Sequence, residues 1–265
     1  MVCSLLCVLF ALLGGALSCT LTAPLDLGRG LDADTVHWGT NLAFEPGELR
    51  TSNIGDTQYA TNDFCSGEHT GTHLDAPFHF NVVGWTVGQI PLDRLIANGV
   101  FLNMSAEAAG NPDFLLEPQH LTQWEETNGA LPDRAVVLIS FGWAQRHASR
   151  LLYFGTETNN TDLYRFPGLS GEVARILSSS GKVVGVGVDT ASVDAGTSKT
   201  YPAHAILAQQ NVYNLENVNL DQPCIPARGF SIYSLPMKIS NGTGAPVRII
   251  AMPASDSSSP LDLRL

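Results

Sequence analysis

The stretch His69-Thr-Gly71-Thr-His73-Leu-Asp75-Ala-Pro77-Phe-His79 places three of the chain's seven histidines and an aspartate within eleven residues. Such a concentration of imidazole and carboxylate groups is typical of a metal site. Glycine, β-branched threonine and proline all disfavour a helix, so we expect an extended chain in which His73 and Asp75 point to one side. His79 joins that side if the strand continues past Pro77, and a turn at Gly71 brings His69 back to it.

The ligand types indicate a catalytic metal rather than a structural one. The alternative, in which these groups are ordinary polar residues of a loop, leaves four of them on one short segment without a purpose. Structural zinc sites are usually closed and often rich in cysteine, and this chain has no Cys-x-x-Cys pair. Three protein ligands would leave one position open for water.

The pattern His-x-Gly-Thr-His-x-Asp-x-Pro-x-His over residues 69–79 resembles the motif of the cyclase-like metal hydrolases, the family that contains bacterial kynurenine formamidases and isatin hydrolases. The match is complete at every fixed position. The resemblance implies that His69, His73 and Asp75 bind a metal and that Asp75 also reaches a second one. It further implies that His79 is the general acid/base.

A second pair of residues fits the formamidase branch of that family, in which a histidine is followed twelve positions later by a glutamate. Here the pair is His204 and Glu216. Taken alone, His204 would be a core histidine and Glu216 a solvated acid. With the first motif intact, the resemblance implies two divalent ions per chain, zinc or manganese. Bridging carboxylates would offset the repulsion between cations roughly 3.5–4 Å apart.

Weaker matches extend the resemblance over roughly residues 30–252. Asp189 and Asp194 either orient ligating histidines or serve in turns and caps after the preceding apolar run. Trp38 lies where the family places an aromatic residue against the substrate ring, and the alternative is a tryptophan of the core or surface. Gly39 replaces the proline that is usual in bacterial formamidases.

Short apolar runs predict the fold class. Ala135–Ser140, Val183–Val188 and Val247–Ala251 predict buried strands, and Gly171–Ser179 predicts a helix that leads into the second of them. This order indicates an α/β fold. The resemblance implies a β/α/β sandwich with a partly barrel-like mixed sheet, the metals at one end, and a homodimer. We expect one domain over residues 19–253 and a loosely held tail over 254–265.

Composition describes an ordinary folded enzyme. The chain has 265 residues, 44% of them hydrophobic, and a formal net charge of −11 with a sequence pI of about 4.9. This acidity argues against a nucleic-acid partner, because a binding face must neutralise phosphates.

The amino terminus predicts export. Residues 1–18 form a short apolar run that ends in small residues, with Ala16 and Ser18 placed for cleavage, as in a secretory signal peptide. The alternatives are an uncleaved anchor or a buried amino-terminal helix. After cleavage we expect a secreted protein with no membrane segment. Three glycosylation acceptors agree with this route: Asn103-Met-Ser105, Asn159-Asn-Thr161 and Asn241-Gly-Thr243.

Cleavage would leave three cysteines, Cys19, Cys65 and Cys224, in an oxidising compartment. An odd number predicts one disulfide with one free thiol, or an intermolecular bridge. The sequence does not say which pair forms.

These observations predict a secreted metal-dependent hydrolase that cleaves the carbon–nitrogen bond of an aryl formamide or a cyclic amide. Metal-activated water would attack, and His79 would act as the general acid/base. One alternative is a family member acting on an unrelated ester or lactone. Another is a non-catalytic binding protein on the same fold, but retention of every ligand and of His79 argues against it.

Overall fold

The computed structural model describes residues 19–254, so the predicted signal peptide and all of the predicted tail after Ala254 lie outside the described residues. The strands are β1 (Leu25–Asp26), β2 (Glu45–Pro46), β3 (Arg50–Ile54), β4 (Thr57–Thr61), β5 (Phe64–Cys65), β6 (His73–Asp75), β7 (Ile96–Asn103), β8 (Leu115–Leu116), β9 (Ala135–Ser140), β10 (Gly168–Leu169), β11 (Val183–Val188), β12 (Tyr213–Glu216), β13 (Phe230–Pro236) and β14 (Gly244–Pro253). The helices are α1 (Leu92–Leu95), α2 (Pro118–Asn128), α3 (Arg150–Phe154), α4 (Gly171–Ser179) and α5 (Pro202–Gln209).

Seven strands close into a barrel-like ring in the order β14, β13, β7, β9, β11, β12 and β6, and β6 pairs back onto β14. The four strands from β7 to β12 in this order are mutually parallel, whereas β6, β13 and β14 pair antiparallel with their neighbours. At the closure, Leu74 pairs with Leu215 on one side and with Ala245 on the other. The predicted mixed, partly barrel-like sheet is therefore confirmed.

The two central strands are buried along their whole length, as their apolar sequences predict. Both β9 and β11 have the predicted bounds, and every residue in them is buried. Successive side chains of a strand point to opposite faces. In β9, Val137 and Ile139 accordingly join a core formed with the helices, while Val136 and Leu138 pack inside the ring against Leu74 of β6 and its neighbours.

Helices α2, α4 and α5 supply the other side of the outer core. Helix α4 has the predicted bounds and begins after Ser170, whose hydroxyl accepts a hydrogen bond from the Val173 N–H at 3.3 Å. Helix α5 begins with Pro202, which suits a first helical position because proline has no N–H to donate. The buried face of α5 carries His204 into the interior of the protein.

A disulfide joins Cys19 to Cys224, and Cys65 is an exposed free cysteine. This selects one pairing from those that the sequence left open. The bridge ties the start of the described chain to the segment just before β13. Within residues 19–254, none of the helices combines the length and the apolar character needed to cross a membrane.

Replacing both Cys19 and Cys224 with serine is expected to lower the free energy of unfolding by about 2–4 kcal/mol, because the bridge closes a loop with a sequence separation of 205 residues. Denaturant unfolding followed by circular dichroism measures the change. The matched control is Cys65→Ser, which should leave the unfolding midpoint where it is. An equal loss in the control, or no loss in the double variant, would contradict the assignment.

Candidate metal centre

A turn at Gly71 folds the 69–79 segment so that its two ends meet. Gly71 has φ +67°, and a Cβ at this position would lie 2.6 Å from Leu31 Cδ2, so both conformation and space favour glycine. As a result, His69 Nδ1 lies 2.6 Å from Asp75 Oδ1, and His73 Nε2 lies 3.1 Å from the same oxygen. The turn expected from the sequence is present.

Helix α5 and strand β12 bring a second histidine and a second carboxylate to this point. Strand β12 pairs with β6 in a register that places Glu216 opposite His73, and their Oε2 and Nε2 atoms are 3.4 Å apart. His204 Nε2 lies 3.1 Å from Glu216 Oε1 and 3.2 Å from Asp75 Oδ2. The structure thus gathers His69, His73, Asp75, His204 and Glu216 into one cluster.

Asp75 is the centre of this cluster. Its Oδ1 faces His69 and His73, whereas its Oδ2 faces His204. Within residues 19–254, two groups of side chains have ligand atoms that all lie within 4.8 Å of one another inside the group, and Asp75 belongs to both groups. One group is His69, Asp75 and His79, and the other is His73, Asp75 and Glu216. A carboxylate shared in this way is suited to bridging two cations.

The hydrogen bonds of the three clustered histidines fit a metal. Each ring has one nitrogen turned to the carboxylates and the other beside a fixed partner. These partners are Thr243 Oγ1 for His69 Nε2 at 2.8 Å, the Gly71 carbonyl for His73 Nδ1 at 2.9 Å and Asp194 Oδ2 for His204 Nδ1 at 2.7 Å. Metal-binding histidines are usually oriented in this way. The inward His73 Nε2 is buried without a hydrogen-bond partner, which a metal would supply.

The carboxylates of the cluster raise the pKa values of two buried imidazoles. Burial by itself would lower the pKa of His73, but the nearby carboxylates of Asp75 and Glu216 outweigh it and raise that pKa to about 10. Burial likewise opposes charging of His204, and hydrogen bonds with Asp194, Asp75 and Glu216 raise its pKa above the ordinary value. The cluster therefore favours positive charge at these nitrogens, whether as protons or as metal ions.

His79 reaches the cluster through a turn, and not along a continued strand, the path considered from the sequence. The strand does not continue past Pro77: β6 ends at Asp75, and Pro77–His79 is a single 3-10 turn with the proline at its first position. The turn leaves the His79 ring exposed at one side, with its centroid 4.1 Å from that of His69. Desolvation and the neighbouring His69 and His204 lower the pKa of His79 to about 4, against the opposing charge of Asp75.

The two aspartates that the sequence left open have different roles. Asp194 accepts from the Ala203 and His204 N–H groups at 2.8 and 3.0 Å and faces the His204 ring, so it orients a clustered histidine. Asp189 instead accepts from the backbone N–H groups of Phe141, Trp143 and Ala144, which makes it a turn-stabilising residue. Burial raises the pKa of Asp189 despite these hydrogen bonds.

Glu68 is not recognisable from the sequence as a site residue, and Thr243 is recognisable there only as part of a glycosylation acceptor. In the structure, the Thr243 hydroxyl contacts both His69 and Glu68. Thr243 is 174 residues from His69 along the chain. No local pattern connects positions so far apart, so only the folded chain reveals the contact.

A cavity of about 260 Å³ opens beside the cluster. Its apolar walls include Trp38, Phe80, Phe154 and Tyr201, and His79 lines the same cavity. Trp38 therefore borders the space a substrate would use, and it also packs against Tyr164 with ring centroids 4.9 Å apart. The next residue, Gly39, lies so close to the Asn159 carbonyl that any Cβ would collide with it, which accounts for glycine where a bacterial formamidase usually has proline.

A family model, curated relatives and a solved structure all match this chain to the same group of proteins. A family model described as "Putative cyclase" matches residues 25–195. Isatin hydrolase of Roseibium aggregatum is 31% identical over 208 residues, which span 73% of this chain and 75% of that protein. Kynurenine formamidase of Salinibacter ruber is 25% identical over 238 residues, 88% of this chain and 99% of the relative. The structure of isatin hydrolase A from Ralstonia solanacearum superposes with a TM-score of 0.76 at 31% identity, covering 87% of this chain and 91% of the other.

Proposed function

Because this chain belongs to the cyclase family of metal-dependent hydrolases, we propose that it hydrolyses a carbon–nitrogen bond in an aryl formamide or a cyclic amide. The observation that carries the proposal is the cluster around Asp75, with the His79 imidazole beside it, lining a cavity that has aromatic walls. Amide hydrolysis requires an activated water, a polarised carbonyl and a proton for the leaving nitrogen.

The family resemblance supports one division of these residues between two metal positions. His69, His73 and Asp75 would hold one divalent ion, and His204 and Glu216 would hold a second that shares Asp75. Imidazole and carboxylate ligands suit zinc and manganese alike. When bound, such an ion polarises a carbonyl and lowers the pKa of water from 15.7 towards about 7.

The chain's own residues would carry out the remaining steps. His79 takes a proton from the attacking water and then gives it to the departing nitrogen, because an unprotonated amine anion is a very poor leaving group. The aromatic walls of the cavity, Trp38 among them, would hold the ring of the substrate by stacking or edge contacts. Asp194 keeps His204 in one orientation throughout, since it also accepts two backbone N–H groups and cannot rotate freely.

A substrate panel tests the reaction class. We expect the purified, zinc- or manganese-loaded protein to hydrolyse formylkynurenine or isatin faster than a set of lactones of similar size. Hydrolysis of the lactones alone would move the protein to ester chemistry on the same fold. No hydrolysis of any compound by a protein that holds its metals would favour a binding role instead.

Glu216→Gln is expected to reduce the metal content from two ions to one per chain. The substitution keeps the shape of the side chain but removes a negative charge that offsets repulsion between two cations. Elemental analysis after saturation and dialysis measures the change, with Glu172→Gln on the exposed side of α4 as the control. A wild-type protein that saturates at one ion, with unchanged affinity in Glu216→Gln, would contradict the two-metal arrangement.

We also propose that the protein is exported and that residues 1–18 are removed. The three acceptor asparagines, Asn103, Asn159 and Asn241, are exposed, and a disulfide suits an oxidising compartment. Expression in a eukaryotic secretory host should give a product that begins near Cys19 and shifts on glycosidase treatment. A product that stays in the cell, with Met1 intact and no shift on glycosidase treatment, would contradict export.

The expected homodimer stays a prediction, which light scattering of the purified protein would check.

A further inference from the structure

Two residues outside the proposed ligand set hold the His69 ring from its outer side. His69 Nε2 lies 2.8 Å from Thr243 Oγ1, and the Thr243 hydroxyl donates to Glu68 Oε2 at 2.7 Å. The backbone N–H groups of Thr243 and Gly244 donate to the same glutamate oxygen at 2.8 and 3.3 Å. Glu68 therefore fixes the segment that carries Thr243 as well as the hydroxyl itself.

In the chain of hydrogen bonds from His69 through Thr243 to Glu68, protons can be donated in only one direction. An ionised carboxylate accepts and cannot donate, and a hydroxyl has a single proton. Since the Thr243 proton goes to Glu68, the Thr243 oxygen must accept the proton on His69 Nε2. The opposite nitrogen, Nδ1, faces Asp75 Oδ1 at 2.6 Å, a distance that requires a proton or a metal ion between the two atoms.

Close packing supports this orientation of the ring. A Cβ at Gly244 would lie 2.5 Å from His69 Cε1 and 2.8 Å from Nδ1, so the backbone of Gly244 lies directly against the ring. The His69 side chain is only 14% exposed. With Thr243 on one nitrogen and Gly244 against the ring, His69 has little freedom to turn its Nδ1 away from the cluster.

We propose that Thr243, held by Glu68, is a positioning residue that sets the tautomer and orientation of His69 and thereby the metal affinity of the centre. This inference rests on the proposed metal centre. It also gives Glu68 a place in the fold, because the same carboxylate joins the loop before β6 to the start of β14, where the ring of strands closes.

Zinc affinity of the purified, metal-stripped full chain, measured by competition with a chromophoric chelator, tests the proposal. Thr243→Val removes the hydroxyl with little change in shape, and we expect it to weaken zinc binding by about 10–100-fold, the usual effect of losing an outer hydrogen-bond partner. Thr243→Ser keeps the hydroxyl and should restore most of the affinity. Glu68→Ala, which leaves Thr243 in place but unanchored, should weaken binding in the same direction.

Two controls separate the loss of the Thr243 hydroxyl from the loss of a glycosylation acceptor and from a loss of stability. Thr243→Val also destroys the acceptor Asn241-Gly-Thr243, so Asn241→Gln, which removes the acceptor and keeps the hydroxyl, should bind zinc like the wild type. The melting temperatures of the metal-free proteins are compared in parallel. If Thr243→Val does not fold, the zinc affinity of Glu68→Ala is the deciding measurement. Weakened binding supports the positioning role, and unchanged binding overturns it.

Unchanged zinc affinity in Thr243→Val would overturn the positioning role while leaving the metal centre intact. Equal losses in Thr243→Val and Thr243→Ser would also overturn it, because the shared hydroxyl would then be irrelevant. A wild-type protein that binds no zinc or manganese would overturn the metal centre itself, and this inference with it.

Discussion

Asp75→Asn is expected to remove both metal ions and to reduce hydrolysis to the background rate. Among the residues that the structure describes, Asp75 is the one whose oxygens face all three clustered histidines, with Oδ1 beside His69 and His73 and Oδ2 beside His204. Asparagine has nearly the same shape but no charge, and its amide nitrogen cannot act as a ligand. Both proposed positions therefore lose a shared anionic donor at once.

Elemental analysis of the dialysed variant and a hydrolysis assay measure these two losses. Circular dichroism should show a folded protein, because β6 keeps its backbone pairing with β12 and β14. Asp162→Asn is the matched control, since that carboxylate lies on the surface and pairs with the exposed Lys199. Retention of both metals by Asp75→Asn would refute the bridging role.

His79→Ala should keep both metals and the fold but lower turnover by about 10²–10⁴-fold, the usual contribution of a general acid/base. The reason is geometric: His79 is exposed on a 3-10 turn and lines the cavity, while each of the three clustered histidines has a ring nitrogen within 3.2 Å of an Asp75 oxygen. Added imidazole should restore part of the activity, because it can enter the space left by the missing ring and transfer the proton.

Proximity alone does not separate the two possible roles of this histidine, since His79 also belongs to a group of ligand atoms with His69 and Asp75. The metal content of His79→Ala makes the distinction. A variant that loses metal would make His79 a ligand, and one that turns over normally would give it no role in the reaction. His120→Ala, away from the cavity, controls for the general effect of losing an imidazole.

Much of the candidate site was predictable because His69, His73, Asp75 and His79 lie close together in the sequence. Residues 69–75 meet one another through a single turn at Gly71, and this glycine is visible in the sequence, whereas His79 arrives through a second turn that begins at Pro77. Residues 204 and 216 are different, since only the resemblance joined them to the first group. The structure shows the physical link, a register that sets Glu216 of β12 beside His73 of β6.

Other features depend on contacts that no local pattern contains. The predicted strand Val247–Ala251 lies within a longer strand, Gly244–Pro253, whose first residues pair with β6. Glycine, alanine and proline have low strand propensity, so the sequence did not reveal the residues that close the ring. Similarly, Asp189 and Asp194 follow the same apolar run, and only the course of the backbone decides which one reaches a histidine.

The position of β6 has a consequence for biosynthesis. This three-residue strand lies early in the chain, but its two neighbours are β12 and the first residues of β14, near the other end. A growing chain therefore cannot close the ring of strands around the cluster until about residue 246 has left the ribosome, and contacts between such distant segments form slowly. Metal acquisition should be one of the last events in maturation, in whichever compartment the finished chain folds, and the supply of zinc or manganese in that compartment would determine which ion the enzyme carries.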